Sequence, residues 1–397
     1  MAANSPTADC SPPAHQPLRV CFVGGGTGGH LYPCLAVGEH LRQVQPSTEV
    51  LFLGARRGLD RPILEREGLP YELISARPLP YGLSPALPLA AFGLAVGVVQ
   101  AGQALGRFQP DVVFTTGGYV AASALPAAWM LNVPIVLHDS DALTGRANRL
   151  LARLASAVTV AFESAKERLA AYQPVLTGQP VRLPVRGADR GQAARALGVS
   201  PEARTLLVTG GSRGARSLNR ALLGALGKIL TWPDVQVLHL CGEAAGDQVS
   251  AELRQRGIEP APPYHLWPYL HDIPSALACA DLVVCRAGSN TVAELAARGL
   301  PAIIVPYPHA AAHQEANARP LVEAGAAVLV RDQELTPEAL LEHVGAILLN
   351  EEKRRTMAAA ARSVDHPDAG AEIAAILVQC ASRADHKAAN RQVAPDV

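Results

Sequence analysis

Three glycine turns and one histidine have the residue types and spacing that suit chemistry. GGGTGGH, residues 24–30, sets five glycines and then His30 between the β-rich run LRVCFV and the helical stretch LYPCLAVGEHL. TGGSRGARSLN, residues 209–219, repeats the order of β-run, glycines and helix, and TTGGYV, residues 115–120, follows a further β-run. Bare amides at the start of a helix lie at the positive end of its dipole, which suits a phosphate group. With one such turn heading each half of the chain, the expected ligand carries phosphate and lies in a cleft between the halves. His30 adds an imidazole, which titrates near neutrality and can take a proton from a hydroxyl. A histidine that only caps or packs the helix start is the competing reading.

Gly24, Gly26 and Gly29 also satisfy the G-x-G-x-x-G pattern of dinucleotide oxidoreductases. That chemistry wants an acidic residue at the end of the second strand, to hold the ribose hydroxyls. EVLFLG runs instead into ARRGLD, with no carboxylate in the required place, while Arg56 and Arg57 keep a phosphorylated ribose, and so NADP, open. No G-x-x-x-x-G-K-[ST] occurs, which excludes a Walker loop. Glycine needed for tight packing alone accounts for two of the glycines at 24–29 but not for five.

The elements that must position these turns alternate regularly. The β-rich runs LRVCFV, EVLFLG, DVVFTT, PIVLHD and SAVTVAF are separated by helical stretches such as PCLAVGEHLRQV and ANRLLARLA. This is the pattern of βαβ units on a parallel sheet covered on both faces, an α/β fold. Periodicity is lost among the prolines and glycines of TGQPVRLPVRG, residues 177–187, and restarts with RTLLVTGG, VQVLHLCG, DLVVCRAG and PAIIVPYP. The expected organisation is a disordered leader 1–17, a doubly wound domain 18–180 and a second one 187–365. A helix 366–383, returning to the first domain, and a disordered tail 384–397 complete it.

At 397 residues the chain is long enough for two cores. Lysine plus arginine equals aspartate plus glutamate, 35 each, so no overall basic field points to nucleic acid. Seven cysteines form no CxxC pair and mostly sit in apolar runs, as expected of free thiols in a reducing cytoplasm. The leader has no apolar core of a signal peptide. From Pro78 to Gly106 there is no charged residue, and Leu89 to Val99 is strongly apolar. A membrane span there would break up the sheet. The segment is expected to be a helix with an apolar face dipping into lipid, with a wholly internal core helix as the competing reading.

Six segments, GGGTGGHLYPCLAV, TTGGYV, GQPVR, TGGSRGARSLN, CRAGSNTVAELAARGLPAIIVPYPHA and HQEANA, occur in the order found in MurG-type enzymes. The chain resembles this family of UDP-N-acetylglucosamine transferases from about residue 18 to about residue 380. The resemblance implies the GT-B architecture, two Rossmann-like domains facing across a cleft. It also implies inverting transfer from UDP-N-acetylglucosamine to lipid I, without cofactor or metal, at the cytoplasmic face of the membrane. Transfer to another lipid acceptor such as diacylglycerol, and a UDP-sugar epimerase of the same shape, are the alternatives.

By the same resemblance His30 serves the acceptor hydroxyl, as base or by orienting it. Ser212 bonds the diphosphate and Arg182 adds a fixed cation to it. Ser289, Asn290, Thr291, Val292, Ala293 and Glu294 form the donor segment, with Glu294 accepting from two ribose hydroxyls. Leu270 meets the uracil through its backbone, and Gln314 bonds the sugar. Thr27, Gly28 and Gly29 approach the donor from the first half, and Gly117, Gly118 and Tyr119 make the acceptor-side turn. Where many members read HEQN this chain reads HDSD, residues 138–141. Asp141 there accepts only, whereas an asparagine also donates, so its contacts to sugar or acceptor cannot be copied unchanged. DSD mimics a DxD metal motif of a different transferase architecture, one without doubled glycine turns. His309 and His313 have zinc-like i, i+4 spacing but no third ligand, so no metal is expected.

Overall fold

The computed structural model describes residues 17–26, 28–77 and 87–392. Thr27 and most of the leader lie outside them, as do residues 78–86 and 393–397. The first sheet comprises β1 (Arg19–Val23), β2 (Glu49–Ala55), β3 (Tyr71–Ile74), β4 (Val112–Thr115), β5 (Ile135–Asp139), β6 (Ala157–Val160) and β7 (Val175–Leu176). The second comprises β8 (Arg204–Thr209), β9 (Val235–Leu240), β10 (Tyr264–Trp267), β11 (Leu282–Cys285), β12 (Ala302–Ile304) and β13 (Ala327–Leu329). Their orders are β3-β2-β1-β4-β5-β6-β7 and β10-β9-β8-β11-β12-β13. All pairings are parallel, so helices must cover both faces, which is why strands such as VVFT and LVVC are buried throughout and almost wholly apolar.

Both sheets reverse direction of growth at one place, between β1 and β4 and between β8 and β11. Ligands of open α/β sheets bind beyond the carboxyl ends of the strands at such a switch point. Gly24–Gly26 follow β1, the TTGG turn closes β4, GGSRG follows β8 and RAGSN follows β11. All four turns therefore gather at the two switch points.

In the first core Phe22 stacks on Phe52, centroids 5.0 Å apart, and meets Phe114 edge to face at 5.8 Å. The chain changes cores between Leu176, beside the first, and Val181, buried in the second. It returns through the helix Ala369–Gln392, whose Ile373, Ala374 and Leu377 are buried with Leu31, Val37 and Leu41 of the helix Gly28–Val44. That helix continues beyond residue 383, where a tail was expected, because no glycine or proline interrupts residues 384–392. Cys21, Cys34, Cys241, Cys279, Cys285 and Cys380 are buried free thiols.

The apolar segment forms the helix Leu87–Phe108. Its buried side is built mostly of small residues, Ala90, Gly93, Gly97, Ala101 and Ala104, joined by Leu105. Gly97 lies so close to the Ser75 carbonyl and the Ser123 side chain that a methyl group there would collide with both. Three large residues point outward, Leu89 58%, Phe92 68% and Val99 61% exposed, while Leu105 near the end of the helix is buried. A wholly internal core helix would bury the large side chains, so that reading is set aside. Leu89–Phe108 is long and apolar enough to cross a membrane, with mean hydropathy 1.5, but a third of it is buried against the protein.

Candidate active site

The glycines at 24–26 are held by a buried carboxylate. Asp60, fully buried, accepts from Gly26 N–H with both oxygens at 2.8 Å and from Ala55 N–H at 2.7 Å. Burial raises its pKa, opposed by these amides. A side chain on Gly25 would strike the Asp60 carboxylate, and one on Gly26, at φ +83°, would strike the Tyr119 hydroxyl. A methyl on Gly24 would lie 2.6 Å from the His30 carbonyl oxygen. Packing thus explains these three glycines, and the Gly26 amide is taken by Asp60 rather than open to a phosphate. The acid of ARRGLD, passed over in the search for a ribose acceptor, is the loop's internal anchor.

His30 stands at the centre of the first half's turns. Thr116 Oγ1 donates to the His30 carbonyl at 2.9 Å, and its oxygen lies 3.4 Å from His30 Nδ1. The one hydroxyl proton being used on the carbonyl, Thr116 accepts from Nδ1–H, which leaves the lone pair on Nε2. Burial lowers the His30 pKa below its ordinary 6.5, while the nearby Asp141 charge and Thr116 oppose the shift. Gly117 and Gly118, at φ +89° and +79°, are glycines for a direct reason. A methyl on Gly117 would overlap the Asn148 amide, and one on Gly118 would sit 2.9 Å from His30 Cδ2 and 3.0 Å from Nε2. Gly118→Ala is expected to lower stability by about 1–3 kcal/mol through backbone strain. It also displaces the imidazole, so kcat should fall at least tenfold, about 1.4 kcal/mol, in enzyme that remains folded by thermal melting.

The HDSD loop joins the halves. Asp139 accepts from Asn148 Nδ2 at 2.8 Å; burial raises its pKa to about 6, with Thr144, Asn148 and His313 opposing. Asn317, buried on the helix Ala311–Glu323, accepts from Ala142 N–H at 2.8 Å and donates to Asp141 at 3.0 Å and to the Ala287 carbonyl at 3.3 Å. Asp141 as an acceptor therefore has a donor within the protein. Burial and then the Asp60 charge raise the Tyr119 pKa, with the Arg213 charge of the GGSRG turn opposing.

On the second half, the helices Arg216–Ile229 and Ser289–Arg298 begin at Ala215 and Gly288 with no side-chain cap. Neither N-cap residue offers a side-chain acceptor to the first amides. Ser212 is exposed in the loop before the first. Ser289, Asn290, Thr291, Val292, Ala293 and Glu294 form the opening turns of the second. Burial pushes Glu294 up to about 7, with Arg182 opposing. Gln314 accepts from Ala287 and Tyr307 N–H at 3.2 and 2.8 Å, which turns its amide NH2 outward. Leu270 is half-buried beside the second core.

Arg182 differs from expectation. Its Nε donates to Glu39 at 2.7 Å, and its two terminal nitrogens bond Glu67 at 3.0 and 2.7 Å. Two carboxylates neutralise the cation, so it ties the connection between halves to the helix Gly28–Val44 instead of standing free for a diphosphate. No three His, Cys, Asp or Glu side chains are grouped as a metal set among the described residues.

Residues 20–160 match the glycosyltransferase family 28 N-terminal domain, and residues 205–373 its C-terminal domain. Curated UDP-N-acetylglucosamine–N-acetylmuramyl-(pentapeptide) pyrophosphoryl-undecaprenol N-acetylglucosamine transferases align over nearly the whole chain. That of Desulforudis audaxviator is 42% identical over 92% of this chain and 99% of its own. That of Bacillus subtilis is 35% identical over 91% and 99%. The chain belongs to the MurG members of glycosyltransferase family 28. The crystal structure of Acinetobacter baumannii MurG superposes with TM-score 0.66 at 27% identity, covering 91% of this chain and 99% of that one. Its two parallel sheets have the expected GT-B architecture of the family, and the chain is a glycosyltransferase. A UDP-GlcNAc 2-epimerase from Neisseria meningitidis shares the fold alone, at 14% identity and TM-score 0.64 over 91% of this chain and 100% of that one. Within this MurG framework, Asp60, Asn148 and Asn317 are site residues that sequence reasoning passed over. Asp60 lies in ARRGLD, Asn148 in ANRLLARLA and Asn317 in HQEANA, segments that stand out for other features.

Proposed function

We propose that this chain transfers N-acetylglucosamine from UDP-N-acetylglucosamine to the 4-hydroxyl of the muramyl sugar in lipid I, giving lipid II and UDP in peptidoglycan synthesis. Near-full-length similarity to transferases of that name carries the reading. The geometry supports a single displacement with inversion. His30 Nε2 takes the proton as the acceptor oxygen attacks the anomeric carbon. The bond from that carbon to the diphosphate breaks, and its electrons leave with UDP. The uncapped starts of the helices at Arg216 and Ser289, with Ser212, suit the charge that builds on the leaving group. Glu294 suits the ribose, the outward amide of Gln314 the sugar, and Leu270 the uracil. Purified protein given radiolabelled UDP-N-acetylglucosamine and lipid I is expected to yield labelled lipid; no labelled lipid would refute the assignment.

The acceptor's polyprenyl tail stays in the bilayer, so the enzyme must meet the membrane surface. We infer that it does so at the inner leaflet through Leu89, Phe92 and Val99, which are exposed, and through Trp129 and Met130 at the end of the packed helix Gly118–Met130. Changing Leu89, Phe92 and Val99 together to serine is expected to move the protein from sedimented vesicles to the supernatant with an unchanged Tm. Retention on vesicles would contradict this.

A further inference from the structure

Thr159, His138, Gln179 and Asn290 form a continuous chain of hydrogen bonds running from the first sheet, through the connection between halves, to the second half and back. His138, on β5, is fully buried; its Nδ1 lies 2.9 Å from Thr159 Oγ1 on β6 and its Nε2 lies 2.9 Å from Gln179 Oε1. Gln179 Nε2 donates to Asn290 Oδ1 at 2.6 Å. Asn290 Nδ2 then donates, at 3.4 Å, to the carbonyls of Gly28 and Gly29, the two residues before His30.

The direction of every bond follows from the last one. Peptide carbonyls only accept, so Asn290 turns its NH2 to Gly28 and Gly29 and its oxygen to Gln179. Gln179 must then give its NH2 to Asn290 and its oxygen to His138. His138 consequently carries its proton on Nε2 and accepts from the Thr159 hydroxyl on Nδ1. Burial, which outweighs the Gln179 bond, lowers the His138 pKa to about 4, so the ring stays neutral as this order requires. No unit can be reversed without setting two donors or two acceptors against each other in a buried place.

Asn290 is the second residue of the helix Ser289–Arg298, in the uncapped turn assigned above to the donor. The same residue thus touches the segment that receives the sugar nucleotide and the peptides that carry the proton acceptor. We propose that Gln179 and Asn290 are positioning residues, through which a bound nucleoside diphosphate sugar fixes the Gly28–Gly29 peptides and aims His30 at the acceptor hydroxyl. This rests on the reading of His30 and of the Ser289–Glu294 turn given above. Donor binding then helps to place the base through one hydrogen-bond chain.

Gln179→Met keeps the length of the side chain and removes both bonds. It is expected to bind UDP-N-acetylglucosamine with nearly wild-type Kd by calorimetry, while kcat falls about 10- to 100-fold from misplacement of the reacting groups. The imidazole of His30, observed by nitrogen-labelled histidine NMR, should shift when the donor is added to wild-type enzyme and should not shift in Gln179→Met. Gln179→Glu, which keeps the acceptor for His138 but turns an oxygen on Asn290, provides the same test should the methionine variant fail to fold. A wild-type enzyme whose His30 signal ignores the donor overturns the proposal. So does a folded Gln179 variant with wild-type kcat or with the donor-induced shift intact. If wild-type protein transfers no sugar to lipid I, the functional reading fails first; if it transfers and the Gln179 variants behave as wild type, the positioning role alone fails.

Discussion

His30→Gln is expected to lower kcat by about 100- to 10,000-fold, the usual contribution of a positioned general base. The Kd for UDP-N-acetylglucosamine should stay nearly unchanged, because the donor is assigned to turns of the other half. Glutamine fills much of the same space but has no lone pair of comparable basicity, so the Gly118 contact is kept while the proton has no acceptor. The pH profile supplies a second readout. The neutral imidazole is the active form, so kcat is lost as pH falls through the His30 pKa. Burial holds that pKa below 6.5 against the opposing pull of Asp141. The acid limb of kcat is therefore expected below pH 6.5 in wild-type enzyme and should vanish in His30→Gln. Rapid-quench measurement of the chemical step across pH checks both points, and a wild-type rate in the variant would remove His30 from proton transfer.

Glu294→Gln should have the opposite signature. Two ribose hydroxyls donate to a carboxylate with about 1.5–3 kcal/mol at stake per charged hydrogen bond. Loss of one such bond weakens UDP binding by about 10- to 100-fold, with kcat at saturating donor much less affected. Burial pushes the Glu294 pKa up to about 7 in the free protein. The ionised form is the one that accepts both hydroxyls, so UDP affinity should fall as pH drops through about 7. The folded-state pKa lies above the ordinary 4.5, so this ionisation costs stability, and the cost appears as pH rises from 4.5 and is complete above about 7. Glu294→Gln should therefore raise Tm by a few degrees at pH 8 and leave it nearly unchanged at pH 4. Calorimetric titration with UDP and thermal melts at the two pH values separate the binding effect from the stability effect. A variant that is both less stable at pH 8 and unaltered in UDP binding would contradict the assignment.

The sheets were readable because parallel strands buried on both faces are nearly all apolar, and short β-branched runs such as VVFT and LVVC alternate with longer helical stretches. The glycine turns were readable as a group because each follows a β-run. What lay beyond the sequence depends on partners far along the chain. The resemblance makes Arg182 a fixed cation for the diphosphate, but Glu39 and Glu67, 143 and 115 residues earlier, bind it, and no local pattern marks them. Asp60 lies five residues beyond the second strand, and its role depends on the Gly24–Gly26 turn folding back over it. The helix Leu87–Phe108 has no charged residue before Arg107, so its sequence does not say which side packs. Only the close approach of Gly97 to Ser75 and Ser123 makes the small face the inner one. The Asn317 bridge and the Gln179 chain join the two halves, and a reading made one segment at a time has no access to such bonds.

A crystal structure of the enzyme with UDP-N-acetylglucosamine bound is the most direct measurement. The diphosphate is expected over the first turns of the helices Arg216–Ile229 and Ser289–Arg298, with Glu294 on the ribose and the anomeric carbon open toward His30 Nε2. A sugar nucleotide seated outside the crevice between the halves, or with its anomeric carbon turned away from His30, would contradict the mechanism.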